Sequence, residues 1–150
     1  AAAIGYLITR NATTAGAEGG CQAEVGSASA MAASAAVELF GGTPRQCMDA
    51  ASFAMVNILG LVCDPIGGLV ENPCQNRNAM GASNALISAE LSLAGVKSIT
   101  PIDETIGVMY AVGRSIPSEL RETSLGGMAV AKSACENCMA CANKRNKMKK

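Results

Sequence analysis

The sequence predicts an all-α protein: a single helical domain of about five helices, with cysteines carried on its Gly/Pro-rich loops. Three observations lead there. Alternation of period two, the mark of a half-buried strand, is nearly absent. Apolar residues recur instead at helical spacing, and two segments open with Thr followed by Pro, a start signal for helices. The chain is 49% hydrophobic but only 3% aromatic, with 16 glycines and no Trp. Its core must therefore be built from Ala, Leu, Ile, Val and Met, and small side chains let helices pack closely. A length of 150 residues suits one domain.

Taken in order, residues 1–14 predict a first helix with Ile4, Leu7 and Ile8 on its apolar face. The chain reads as entered mid-helix, and "AGAEGG" breaks it. A second, small-residue helix runs from about Val25 to Phe40 and stops at Gly41-Gly42. Thr43-Pro44-Arg45-Gln46 starts a third: Thr43 caps, Pro44 suits the first helical position, and Gln46 completes a capping box. Cys47, Ala51, Ala54, Ile58 and Leu61 continue its apolar spacing to the loop "CDPIGG". "LVENPC" reads as a short extended piece. "NRNAMGASNALISAELSLAG" resumes helix, with Met80, Ile87, Leu91 and Ala94 on one face and Gly95 as its stop. Thr100-Pro101 repeats the cap-then-proline start for a fifth helix carrying Ile106, Met109, Tyr110 and Val112. "GRSIPSELRETSLGGMAV" reads as loop with one helical turn. No internal repeat is present.

The formal net charge is zero but unevenly placed. Residues 132–150 carry six basic groups and one acid, against six basic and eleven acidic groups in residues 1–131. The boundary predicts a helical domain over 1–131 and a flexible, basic, Cys-containing tail over 132–150. "NKRNKMKK" has neither interleaved aromatics nor an RNA-binding signature, so it reads as a solvated terminus and nucleic acid is not expected as a partner. The longest strongly apolar run, "ASFAMVNILGLVC", falls short of a membrane span, and no signal peptide is visible. A cytoplasmic, reduced setting is expected, where clustered cysteines point to metals or catalysis rather than disulfides.

Histidine is absent. That removes the commonest general base and metal ligand from these residues, together with any Ser/His/Asp or Cys/His nucleophile system. Seven cysteines remain. Cys21 follows Gly19-Gly20, Cys63 precedes Asp64-Pro65, and Cys74 follows Pro73. All three stand at loop edges, where the backbone can aim sulfur inward and amide groups can stabilise a negative metal group. Thiolates are soft ligands for iron–sulfur clusters and zinc. The spacings of 42 and 11 residues match no ferredoxin run, so spacing alone leaves metal ligands and buried structural thiols both open. Cys47 sits at a core-like helical position and reads as packing. "CENCMAC" places Cys135, Cys138 and Cys141 in a tight C-x-x-C-x-x-C, either a metal motif or exposed tail thiols. Glu18, Glu24, Asp64 and Glu71 surround the cysteine loops, as bases, acceptors or merely solvated acids. Arg77 and Asn78 follow Cys74, and the arginine suits either a substrate carboxylate or a salt bridge.

Three strings, "EGGCQAEVGSASAMAA", "LGLVCDPIGGLVENPCQNRNAMGASNAL" and "GRSIPSELRETSLGGMAV", closely resemble the α chain of iron–sulfur-dependent L-serine dehydratases (L-serine ammonia-lyases), in its carboxy-terminal part. The likeness runs from Ala1 to about Val130. It implies that Cys21, Cys63 and Cys74 hold a [4Fe-4S] cluster. It further implies deamination of L-serine to pyruvate and ammonia without pyridoxal phosphate, one open iron acting as Lewis acid on the serine hydroxyl. The resemblance also implies partners: an amino-terminal α region, a β chain or β domain, and an oligomeric assembly. The catalytic base is expected in those parts, so none is assigned here and this piece alone is expected to be inactive. After "GGMAV" the family commonly continues "A-T-P-T-G", whereas this chain runs "AKSACENCMACANKRNKMKK". Some relatives insert a carboxy-terminal cysteine at the cluster, but the register does not match and none of the tail cysteines is assigned that part. The competing readings are an L-cysteine desulfidase of the same fold, an iron–sulfur or zinc module for electron transfer or structure, and a helical interaction domain with inert thiols.

Overall fold

The computed structural model describes residues 1–137. Among them are seven α-helices and no strand. Five are long and coincide with the five expected: α1 (Ala2–Asn11), α3 (Ser27–Leu39), α4 (Pro44–Val56), α5 (Cys74–Leu93) and α6 (Ile102–Ser115). The others are the single turn α2 (Gly16–Gly19) and the short α7 (Lys132–Asn137). No helix among the described residues is long and apolar enough to cross a membrane.

α3, α4 and α5 pack on one another, and α1 and α6 close the sides of this trio. The core is built largely of alanine, as the composition requires: Ala23, Ala30, Ala33, Ala50, Ala51 and Ala54 are fully buried, with Ile8, Val37, Met55, Ile106 and Met109 between them. Ile4 and Ile8 are the buried face of α1, and Leu7 packs beside them. Small residues at the helix contacts also allow polar cross-links. Asn84 on α5 donates to the Ser29 hydroxyl on α3 (2.9 Å) and to the Ala54 carbonyl on α4 (2.8 Å). The Ser92 hydroxyl donates to the Gln46 carbonyl at 2.8 Å. Each bond satisfies a buried polar group at the seam between helices.

The Thr43 capping box forms as expected, with the Gln46 amide on the Thr43 hydroxyl (3.3 Å) and the Thr43 amide on the Gln46 side chain (2.9 Å). Cys47 packs against the core. Several expectations are corrected. α4 stops at Val56, and the chain turns over 57–60 instead of continuing as helix to Leu61. α1 ends at Asn11, because Thr13 turns the chain with its hydroxyl accepting from the Ala15 amide. The helix after Thr100 takes Pro101 as its cap residue with no side-chain cap bond. There the Thr100 carbonyl accepts instead from Ser52 and Ser98 hydroxyls, both at 2.8 Å. "LVENPC" is a turn containing a cis Asn72–Pro73 bond rather than an extended piece, and α5 already starts at Cys74.

Another concerns α5. Its expected apolar face, Met80, Ile87 and Leu91, points outward, and the buried face is Gly81, Asn84, Ala85, Ser88, Ala89 and Ser92. Close packing on α3 and α4 decides this. A Cβ at Gly81 would already lie 2.7 Å from Val25, so no large side chain fits on that side. Past α6, short helical turns form at Ser118–Leu120 and Gly127–Val130, two rather than one. α7 packs near Gly127–Val130 and the Ile66–Gly68 turn, inside the stretch expected to be a flexible tail. Cys138 and Cys141 lie outside the described residues.

Candidate metal centre

The cysteines stand where loops are stitched together at one end of the bundle. Gly20 precedes Cys21 at φ +76°, and a Cβ there would lie 2.7 Å from the Leu61 carbonyl oxygen. The chain therefore presses onto the segment before Cys63. The Gln22 amide donates to the Leu61 carbonyl at 2.9 Å. The buried Gln22 side chain donates to the Met109 carbonyl (2.8 Å) and accepts from the Gly60 amide (2.9 Å). One glutamine thus locks the Cys21 turn to α6 and to the Cys63 loop. Cys63 is held on its other side by a single parallel bridge with Arg121: its amide donates to the Leu120 carbonyl (2.8 Å), and its carbonyl accepts from the Glu122 amide (2.7 Å). Cys74 is the first residue of α5.

All three thiols are buried. The ligand atoms of Cys21, Cys63 and Glu24 lie within 4.8 Å of one another. Gly16 floors this group, for a Cβ there would meet the Glu24 carboxylate at 2.6 Å and the Cys63 sulfur at 3.1 Å. Cys74 does not join the 4.8 Å group, but its thiol senses the same charges. Burial pushes it up, and the charges on Cys21 and Glu24 push it further against the pull of Arg77.

The Cys21–Cys63 pair titrates as a unit. The hydrogen bond from Cys63 lowers Cys21, with Arg77 adding to the effect against burial. Donating that bond, burial and the Cys21 charge all push Cys63 far up. Within the pair, the Cys63 hydrogen bond and the Arg77 guanidinium favour ionisation at Cys21 rather than at Cys63. Glu24 is pushed up by partial desolvation of its carboxyl, then by the Glu122 charge. Two soft, buried sulfurs within 4.8 Å of each other and a glycine floor beside them fit a thiophilic metal group.

Asp64 and Arg77 complete the surroundings. Arg77 Nη1 donates to Asp64 Oδ1 (2.6 Å), to the Val62 carbonyl (2.9 Å) and to the Cys21 sulfur (3.8 Å). Of the two uses the sequence leaves open for Arg77, the salt bridge is the one present. Asp64 Oδ2 accepts from the Met128 amide at 2.6 Å. Glu18 and Glu71 are exposed, and the Asn78 side chain donates to the Cys74 carbonyl at 3.0 Å. Sequence reasoning passed over Gln22, Gly16 and the 120–128 segment. The only local signals were a Gln beside Cys21 and the Gly126-Gly127 pair.

Residues 1–129 match the family model described as the serine dehydratase alpha chain. The chain is 61% identical over 129 residues to an L-serine dehydratase alpha chain from Peptoniphilus asaccharolyticus, covering 86% of this chain and 44% of that one. It is 57% identical over 129 residues to a probable L-serine dehydratase alpha chain from Bacillus subtilis, covering 86% and 43%. An L-serine dehydratase from Helicobacter pylori is 48% identical over 129 residues, covering 85% of this chain and 28% of the relative. The chain thus spans less than half the length of these three relatives. On the extent of these matches, the chain belongs to the serine dehydratase alpha chain family.

Proposed function

We propose that this chain is the cluster-bearing part of an L-serine ammonia-lyase that converts L-serine to pyruvate and ammonia without pyridoxal phosphate. The observation that carries the reading is the convergence of two buried thiols, Cys21 and Cys63, within 4.8 Å of each other in a chain of this family. Cys21, Cys63 and Cys74 would hold a [4Fe-4S] cluster. When bound, it supplies a Lewis-acidic iron that makes the serine hydroxyl a better leaving group. The chain's own residues prepare the seat. Cys63 and Arg77 favour ionisation of Cys21, Gly16 leaves room beside the sulfurs, and the Gln22 bridge holds the Cys21 turn against the Cys63 loop. Glu24 borders the sulfurs, and burial favours the protonated form of its carboxyl.

The proposal places the base that removes the Cα proton in the part of the protein these residues do not span, with a remaining α region and a β chain or domain as partners in a cytoplasmic oligomer. The exposed apolar face of α5 supports a covering partner.

The test is anaerobic reconstitution of the complete α chain with its β partner, followed by iron analysis and pyruvate assay. About four irons per chain and pyruvate from serine are expected. Cys63→Ala should lose most of the iron and all activity. Full iron in that variant, or sulfide from cysteine with no pyruvate from serine, overturns the reading. A second reading rests on the group Cys21, Glu24 and Cys63, whose spacing also suits a single zinc ion. One tightly held zinc and no iron in the isolated protein would favour it.

A further inference from the structure

Asp64 is 2% exposed and lies beside Cys63, yet it is not itself a soft ligand. A buried carboxylate needs partners, and this one has two from distant segments: Arg77 on the first turn of α5 and the Met128 amide. Gly127 stands at φ +61°, and its Cα carries no side chain where the Asp64 carboxylate sits. The carboxylate is thus fixed from both sides. Arg77 is fixed in turn. Its Nη1 has two hydrogens and three acceptors around it: Asp64 Oδ1, the Val62 carbonyl and the Cys21 sulfur. Asp64 and Val62 flank Cys63 in sequence, and Arg77 lies one helical turn past Cys74. The two short contacts take the two hydrogens, and the sulfur at 3.8 Å shares one of them; a single guanidinium still joins all three cysteine segments, and the carboxylate holds its positive charge beside the sulfur.

We infer that Asp64 is a positioning residue that holds the Arg77 guanidinium beside the Cys21 sulfur, and so tunes the group that sulfur ligates. This rests on the cluster reading above. Hydrogen bonds to ligand sulfur are one of the levers that set an iron–sulfur potential, because they stabilise the more negative, reduced state. The arrangement makes an unusual demand on sign. Removing the negative charge of Asp64 raises the potential if only its charge matters. Removing its grip on Arg77 lowers the potential, because the positive guanidinium is no longer held beside the sulfur.

The experiment uses the reconstituted complete α chain with its β partner, following the reduced cluster by EPR during a dithionite titration. Asp64→Ala should shift the midpoint to more negative values at full iron content. Arg77→Lys keeps the charge on a shorter stem, and it should shift the midpoint the same way. An unchanged or more positive midpoint in both variants overturns the inference, as does loss of iron from both with helical circular dichroism intact. If Asp64→Ala does not fold, Arg77→Lys alone decides by the same signs. Failure of the cluster reading is separate: wild-type protein would then bind no iron, or Cys63→Ala would keep it.

Discussion

At Gly127 a single missing methyl group shapes the site. The backbone takes a left-handed φ of +61°, and a Cβ would run into the side chain of Asp64. Two costs follow for Gly127→Ala: strain in a conformation that L residues avoid, and displacement of a buried carboxylate from the Met128 amide. Together they should destabilise the protein by about 1–3 kcal/mol, read as a lower urea midpoint at unchanged slope. An unaltered midpoint would show that the loop yields freely. The three cysteines were visible in the sequence because each stands at the edge of a Gly/Pro loop. The contacts around them were not. Gly127 meets Asp64 and Gln22 meets Met109 across long stretches of chain, and no local pattern encodes such pairs.

Among the elements, α4 and α5 differ in legibility for a physical reason. α4 announces itself through a local capping box, which the chain closes within four residues. The position of α5 was equally plain, but its orientation was inverted. A periodicity rule puts the large apolar residues inside, whereas the alanine-built core takes Gly81, Asn84, Ala85, Ser88, Ala89 and Ser92 of α5 as its buried face, with Leu93 packed against it at the helix end. Leu86 and Ile87 are left 58% and 57% exposed, with Leu91 and Ala94 continuing the same face. A contiguous exposed apolar face on a helix calls for cover. The relatives supply the length for it, since this chain accounts for only 43–44% of two alpha chains. On the proposed function, the occupant is the remaining α region. Leu86→Glu with Ile87→Glu should leave helicity unchanged while weakening capture of that region, expressed separately, by at least tenfold in a binding titration. Equal binding by the double variant would assign the face to something else.

Across the whole molecule, the helices scaffold a site they scarcely enter. The sulfurs, Glu24, Asp64 and Arg77 come from three separate stretches: the π-helical turn Gln22–Gly26 with Cys21 at its head, the loop after α4 and the first turn of α5; a fourth, the 120–128 segment, brackets Cys63. These stretches are joined by individual bonds, such as Gln22 to Gly60 and Cys63 to Leu120, rather than by a shared apolar core. The smaller apolar group there holds only Cys21, Val25, Ile58, Cys63 and the flanking Leu61. A group ligated by all three thiols would cross-link stretches that are otherwise weakly coupled, and anything bound by the folded state alone stabilises it. Anaerobic reconstitution should therefore raise the thermal midpoint of the complete α chain, and should raise amide protection at Cys63 and Glu122 more than at the core positions Ala33 and Ala54. Cys21→Ser should keep the iron-free midpoint but abolish the rise, since its fold depends on the alanine core rather than on that sulfur. Hydrogen exchange on loaded and iron-free protein checks both halves. Uniform protection across the helices, with none specific to the loops, would mean that the three thiols do not share one ligand.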